Sequence, residues 1–169
     1  MDSHLQRLRQ ELEDATRDAS DNDLLRSAEG KWNSAQILEH LFLTYKGTNQ
    51  GMARCLENNA PLATRATLFH RAATFLTVNL GYMVKGRKAP EKVVPRGLPP
   101  GNIRREIGPE LQRMSAGLDE CERRFGPSTK LMDHLILGPL TAGQWRKFHW
   151  VHGQHHARQI RERLAKDVK

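Results

Sequence analysis

Apolar residues recur at spacings of three and four along most of the chain, and five stretches follow that helical period. The first runs from about Asp2 to Asp18, with Leu5, Leu8, Leu12 and Ala15 on one face. The second begins at Asn33, a favourable N-cap residue, with Gln36 three positions on as in a capping box. It turns Ile37, Leu38, Leu41, Phe42, Tyr45 and Met52 toward a core and ends before Asn58-Asn59-Ala60-Pro61. The third spans about Arg65 to Lys85, with Leu68, Ala72, Phe75, Leu76 and Leu80 at helical spacing. Gly86 to Gly101 is the one long irregular stretch and holds Pro90, Pro95, Pro99 and Pro100. A fourth helix is predicted from about Asn102 to Phe125, stopped by Gly126-Pro127. After a linker containing Gly138-Pro139, Thr141 can cap a last helix from Ala142 to about Lys166. No stretch alternates with period two, and no internal repeat recurs. The pattern predicts an all-α antiparallel bundle with one additional helix, closed by a long Pro/Gly-rich crossover.

A chain of 169 residues is one domain, here taken as residues 1–169, and is long enough to bury a core without disulfides or a structural metal. A metal site would then serve function before folding. Cys55 and Cys121 stand alone with no C-x-x-C spacing, which argues against a disulfide framework and a zinc ribbon. Met1 leads into a polar stretch without the apolar core of a signal peptide, and Phe75 to Val84 is about half the length needed to cross a bilayer. These features predict a cytoplasmic protein without a membrane partner. The net charge of +8 is uneven: residues 1–30 hold four basic and eight acidic side chains, leaving +12 for the remainder. Such an excess can attract nucleic acid or small anions, or serve solubility alone. The basic stretch from Lys85 to Arg105 carries no aromatic residue for stacking and no nucleic-acid-binding signature, so nucleic acid is not the expected partner.

Eight histidines are present, and four of them fall between His149 and His156 in the run HWVHGQHHARQI. On a helix, His152 and His156 project about 40° apart and about 6 Å along the axis, so two imidazoles can converge on one ion. A tight site needs a third group from a facing helix. His40, in WNSAQILEHL at the edge of the second apolar stripe, is the candidate, although a single histidine there also suits a boundary residue holding one hydrogen bond. His149 is open to three roles: fourth ligand, base beside the metal and hence the candidate catalytic residue, or surface neighbour. Gln159, one turn past His156, could fix the tautomer of a ligand ring or cap a neighbouring helix. Glu39 projects about 100° from His40, so no carboxylate is placed beside the histidines. Cys55 lies about 22 Å from His40 along a continuous helix and cannot share the site. Trp145, Phe148, Trp150, Tyr45 and Cys121 suit packing roles, with Trp145 also able to floor a pocket.

Trp32, Ser34, Leu38, His40 and Leu41, followed by His152, His156, Gln159 and Ile160, resemble the two signature segments of the DinB-like superfamily. The stretch HLILGPLTAGQW, from His134 to Trp145, is similar to the lead-in of an uncharacterised subgroup. The resemblance implies a four-helix bundle holding a divalent metal on His40, His152 and His156, with His156 taken over His155 because it stands three residues before Gln159. It also implies relatives that include thiol transferases using bacillithiol or mycothiol, related isomerases and many members of unknown activity. Zinc and nickel both suit imidazole ligands. The expected function is that of a metal-dependent enzyme acting on a thiol cofactor or small electrophile, of the S-transferase or hydrolase class. Its expected partners are a small-molecule substrate and a second copy in a homodimer. A non-enzymatic metal- or ligand-binding stress protein is the alternative, and a basic nucleic-acid-binding helical protein comes behind both.

Overall fold

The structure is a computed structural model that describes residues 1–83 and 88–165. Among these residues it is mostly helical, in the order α1 (Ser3–Thr16), α2 (Asp21–Leu25), α3 (Ser34–Glu57), α4 (Leu68–Thr74), α5 (Pro100–Phe125) and α6 (Ala142–Ala165). A two-stranded hairpin, β1 (Met132–His134) and β2 (Gly138–Leu140), precedes α6. A π turn (Phe75–Asn79) prolongs α4, and a short 3-10 turn (Glu91–Val93) interrupts the crossover. No helix among the described residues is long and apolar enough to cross a membrane.

The four long helices form where the apolar period is sustained, and α1 and α3 begin at side-chain caps. Asp2 caps α1 by accepting from the His4 backbone N–H, and Asn33 with Gln36 closes the expected capping box on α3. In α5, Ile103, Ile107, Leu111, Met114, Leu118 and Cys121 make one buried stripe. Helix α3 packs chiefly on α5, α1 chiefly on α6, and α3 crosses α6. All the apolar residues expected inside from the first two segments are buried. Full burial of a leucine such as Leu8 or Leu111 contributes roughly 1.5–3 kcal/mol relative to exposure. At Gly153, on α6 between two of the candidate ligands, an added Cβ would run into Leu8 of α1, so the lack of a side chain lets these helices approach. The buried Arg146 joins α6 to α5 through Asp119 (2.7 Å) and Glu122 (2.8 Å).

The structure departs from the sequence expectations in four places. The third helix does not run from Arg65 to Lys85 with an inward apolar face. It is seven residues long before the π turn, and Leu68, Phe75, Leu76 and Leu80 are exposed. The reason is orientation: Thr74 and Val78 face inward, and the Thr74 hydroxyl donates to the Leu137 carbonyl (2.9 Å), which turns the larger apolar side chains outward. The linker between Gly126-Pro127 and Thr141, where no alternation predicts a strand, is partly extended. It makes an antiparallel ladder whose three-residue strands are too short to show an alternating pattern, with Gly138 at a positive φ (+67°) where His70 leaves no room for a Cβ. Helix α2, capped by Ser20, is too short to show a helical period and went unforeseen. The crossover ends at Pro99 rather than Gly101, because Pro100 suits the first helical position of α5. Lys85, Gly86 and Arg87 of the expected third helix and crossover, and Lys166 at the end of the last helix, lie outside the described residues.

Candidate metal centre

Helices α3 and α6 bring His40, His152 and His156 together, each offering a ring nitrogen within 4.8 Å of the other two. The Nε2 of His152 lies 3.3 Å from that of His40 and 3.1 Å from that of His156. Nitrogens held at 2.0–2.1 Å by one tetrahedral ion are about 3.3–3.4 Å apart, so the spacing suits a shared cation. His40 and His152 are buried, and His156 is partly exposed. The Phe148 ring stacks on His152 (centroids 5.3 Å, 14° between planes), and Trp32 tilts over His40 at 5.2 Å.

Counting protons gives an independent test of fit. His40 Nδ1 faces the Val93 carbonyl at 2.9 Å and must be the protonated nitrogen, since a carbonyl only accepts. His156 Nδ1 lies 2.8 Å from Gln159 Oε1, while the Gln159 amide nitrogen is 3.2 Å from His155 Nε2; the pair of contacts makes His156 Nδ1 the donor. In neutral rings, the Nε2 atoms of His40 and His156 therefore both present lone pairs to His152. One proton on His152 Nε2 cannot serve two such acceptors fully, and His152 Nδ1 is buried without a hydrogen-bond partner. A divalent ion accepts all three lone pairs at once. The residues present fit a metal.

Burial works in the same direction. It lowers the basicity of all three rings, most strongly for His152, on which His156 and His40 also act. His156 is brought down to about 3 by burial and by His40, against a smaller opposing effect of Gln159. Neutral imidazoles are the form that ligates.

The crossover supplies the acceptor that orients His40, and Glu39 holds the crossover. The Glu39 carboxylate is buried and takes three backbone N–H groups, from Arg96 (2.7 Å), Gly97 (2.9 Å) and Leu98 (3.1 Å). Two adjacent residues of α3 thus diverge, His40 to the histidine cluster and Glu39 to the loop that carries Val93. Sequence reasoning placed Glu39 away from His40 and assigned it nothing. The available signal was that its helical neighbours Ala35, Phe42 and Leu43 are apolar, so an acid there demands partners once buried.

Of the two roles the sequence leaves open for Gln159, the structure has its Oε1 against the outer nitrogen of His156. His149 is fully buried outside the cluster: Thr48 Oγ1 lies 3.0 Å from its Nε2 and donates to the Thr44 carbonyl (3.2 Å), so His149 is the donor to Thr48. Burial, aided by His134, brings His149 down to about 3. Trp145 stacks on His149 and is buried, Tyr45 is core, and the Cys55 thiol donates to the Leu131 carbonyl (3.3 Å) at the other end of α3. In the basic stretch, Arg104 is tied to Asp21 and to the Ala19 carbonyl, and Arg105 to Asn102.

Fold and site together define a helical protein with a candidate three-histidine metal centre, built where two long helices and a tethered crossover meet. Within that class the chain belongs to the family described as "Protein of unknown function (DUF1569)", whose model matches residues 4–163. Comparison with curated proteins and with solved structures finds no match.

Proposed function

We propose that the protein is a metal-dependent enzyme of the DinB-like type, with α1, α3, α5 and α6 as its four-helix bundle and His40, His152 and His156 as ligands to one zinc or nickel ion. The observation that supports this reading is the proton-poor convergence of three Nε2 atoms, two of them fixed as acceptors by Val93 and Gln159. Three neutral imidazoles leave a coordination position open, as catalytic sites do and structural sites do not. Such an ion would supply Lewis acidity, holding a thiol as thiolate or lowering the pKa of bound water. The substrate class we favour is a low-molecular-weight thiol reacting with a small electrophile, because the only three-ligand group among the described residues contains no carboxylate to act as a base beside a water. The chain's own residues set the geometry. Glu39 fixes the crossover, the Val93 carbonyl fixes the His40 tautomer, Gln159 fixes that of His156, and Phe148 and Trp32 keep solvent from two of the rings. We assign His149 to packing and to its bond with Thr48, since no solvent or substrate reaches a ring that is fully covered.

The test is metal content of untagged protein, for wild type and His40→Ala, with circular dichroism as a check on folding. About one equivalent in the wild type and little in the variant is the expected result; equal content in both would remove the triad. Turnover is then sought with thiol-conjugation and hydrolysis panels. A metal-loaded protein inert on every panel would favour the non-enzymatic metal-binding alternative.

A further inference from the structure

The end of α6 remote from the histidines borders a second concavity. Gln144 lines it eight residues before His152, about 12 Å along the helix axis. The cleft has a volume of about 420 Å³ and lies between α4 with its π turn on one side and β2 with the start of α6 on the other. Two cations reach it from different parts of the chain, Arg71 from α4 and Lys130 from the segment before β1. His70 joins them. Its Nδ1 accepts from the Thr67 backbone N–H (3.4 Å), which leaves Nε2 as the protonated, donating nitrogen of the neutral ring. Phe75 and Leu137 supply apolar wall.

What the cleft lacks is as informative. None of its lining residues is acidic. Lys130 donates to the neutral Gln144 side chain, and among the described residues no carboxylate pairs with Lys130 or Arg71. The Lys130 ammonium is held below its usual basicity first by burial and then by Arg71. Several surface arginines of this chain are matched to acids one turn away, as Arg9 is to Glu13 and Arg123 to Glu120. Here two positive groups converge over a concavity with no carboxylate among the described residues to balance them, a cost that a bound anion relieves.

We propose that this cleft is a binding site for a small organic anion, a carboxylate or phosphate monoester with an apolar body, its charge on Arg71 and Lys130 and its body against Phe75 and Leu137. The volume suits a compact ligand. The site is separate from the histidine cluster, so the two can be occupied independently.

Binding of benzoate and of phenyl phosphate to the full-length protein, followed by calorimetry or NMR titration, tests this directly. Benzamide and inorganic phosphate serve as controls. At least one aromatic anion should bind about tenfold or more tightly than either control, a difference of about 1.4 kcal/mol. The tighter of the two identifies the head group as carboxylate or phosphate monoester. Arg71→Gln, at an exposed position, should weaken binding about tenfold, and Arg71→Gln with Lys130→Met should abolish it, with metal content unchanged in both. Benzamide binding as well as benzoate would overturn the role of charge, and inorganic phosphate binding as well as phenyl phosphate would overturn the apolar wall. Unchanged affinity in Arg71→Gln, or no binding of either aromatic anion at about 10 mM, would overturn the site.

Discussion

The second and third apolar stretches of this chain look alike on paper and end in opposite surroundings. In α3 the stripe from Ile37 to Met52 is buried, and a histidine and a glutamate are buried with it, each with assigned partners. In the α4 segment the residues of the same type, Leu68, Phe75, Leu76 and Leu80, are exposed, and the polar Thr74 is turned inward together with Val78. Periodicity reports that a helix has an apolar side; it does not report that another element covers that side. Length separates the two cases. A 24-residue helix crosses the whole molecule and must meet neighbours, whereas seven residues and a π turn are placed by whatever the hairpin offers.

Truncation should separate the two regions most clearly. Leu111→Ala, in the stripe that faces α3, is expected to cost about 2–5 kcal/mol in chemical denaturation, and Leu41→Ala a similar amount. Comparable losses from Leu68→Ala or Leu80→Ala would mean that the α4 face is covered in solution and would break the contrast.

Acid should act next, through the buried imidazoles. His134 and His149 lie outside the triad and are brought to about 4 and about 3 by burial, from 6.5. The unfolded chain then binds more protons than the folded one between those values. Stability from these rings is fully present above about pH 6.5 and is lost as pH falls toward 3–4. Melting temperature of metal-free protein should therefore be flat above neutrality and decline steadily below pH 6.5. An acid-insensitive melting temperature would count against neutral buried imidazoles.

Glu39→Gln sharpens the comparison further. It keeps the shape but removes the charge that gathers three backbone N–H groups, so the crossover loosens and His40 loses a fixed acceptor. Metal affinity should fall about 10–100-fold while the helical circular dichroism signal is retained. The smallest effect belongs to Leu68→Ser, expected within about 0.5 kcal/mol of wild type because the side chain is 83% exposed.

Much of the buried architecture was legible because it depends on local rules. The cap at Asn33, the stop at Gly126, and the i, i+4 spacing of His152 and His156 are short-range signals, and each appears where the chain predicts it. The partnership of His40 with that pair is long-range; its place at the edge of the second apolar stripe made it a candidate and the resemblance carried most of the weight, and the structure brings the three rings together. The clamp from Glu39 to residues 96–98 was not legible, since a side chain accepting from a distant backbone leaves no spacing to read. The hairpin was equally silent, its ladder being shorter than the period that would announce it.

Val93 and the anchored N–H groups of Arg96, Gly97 and Leu98 are separated by only two residues, Val94 and Pro95. A single nick between Val93 and Arg96 would therefore leave the clamp in place and free the carbonyl that holds His40. The histidine cluster is in this sense strung from a short tether, and its tuning can be cut without touching any of its ligands.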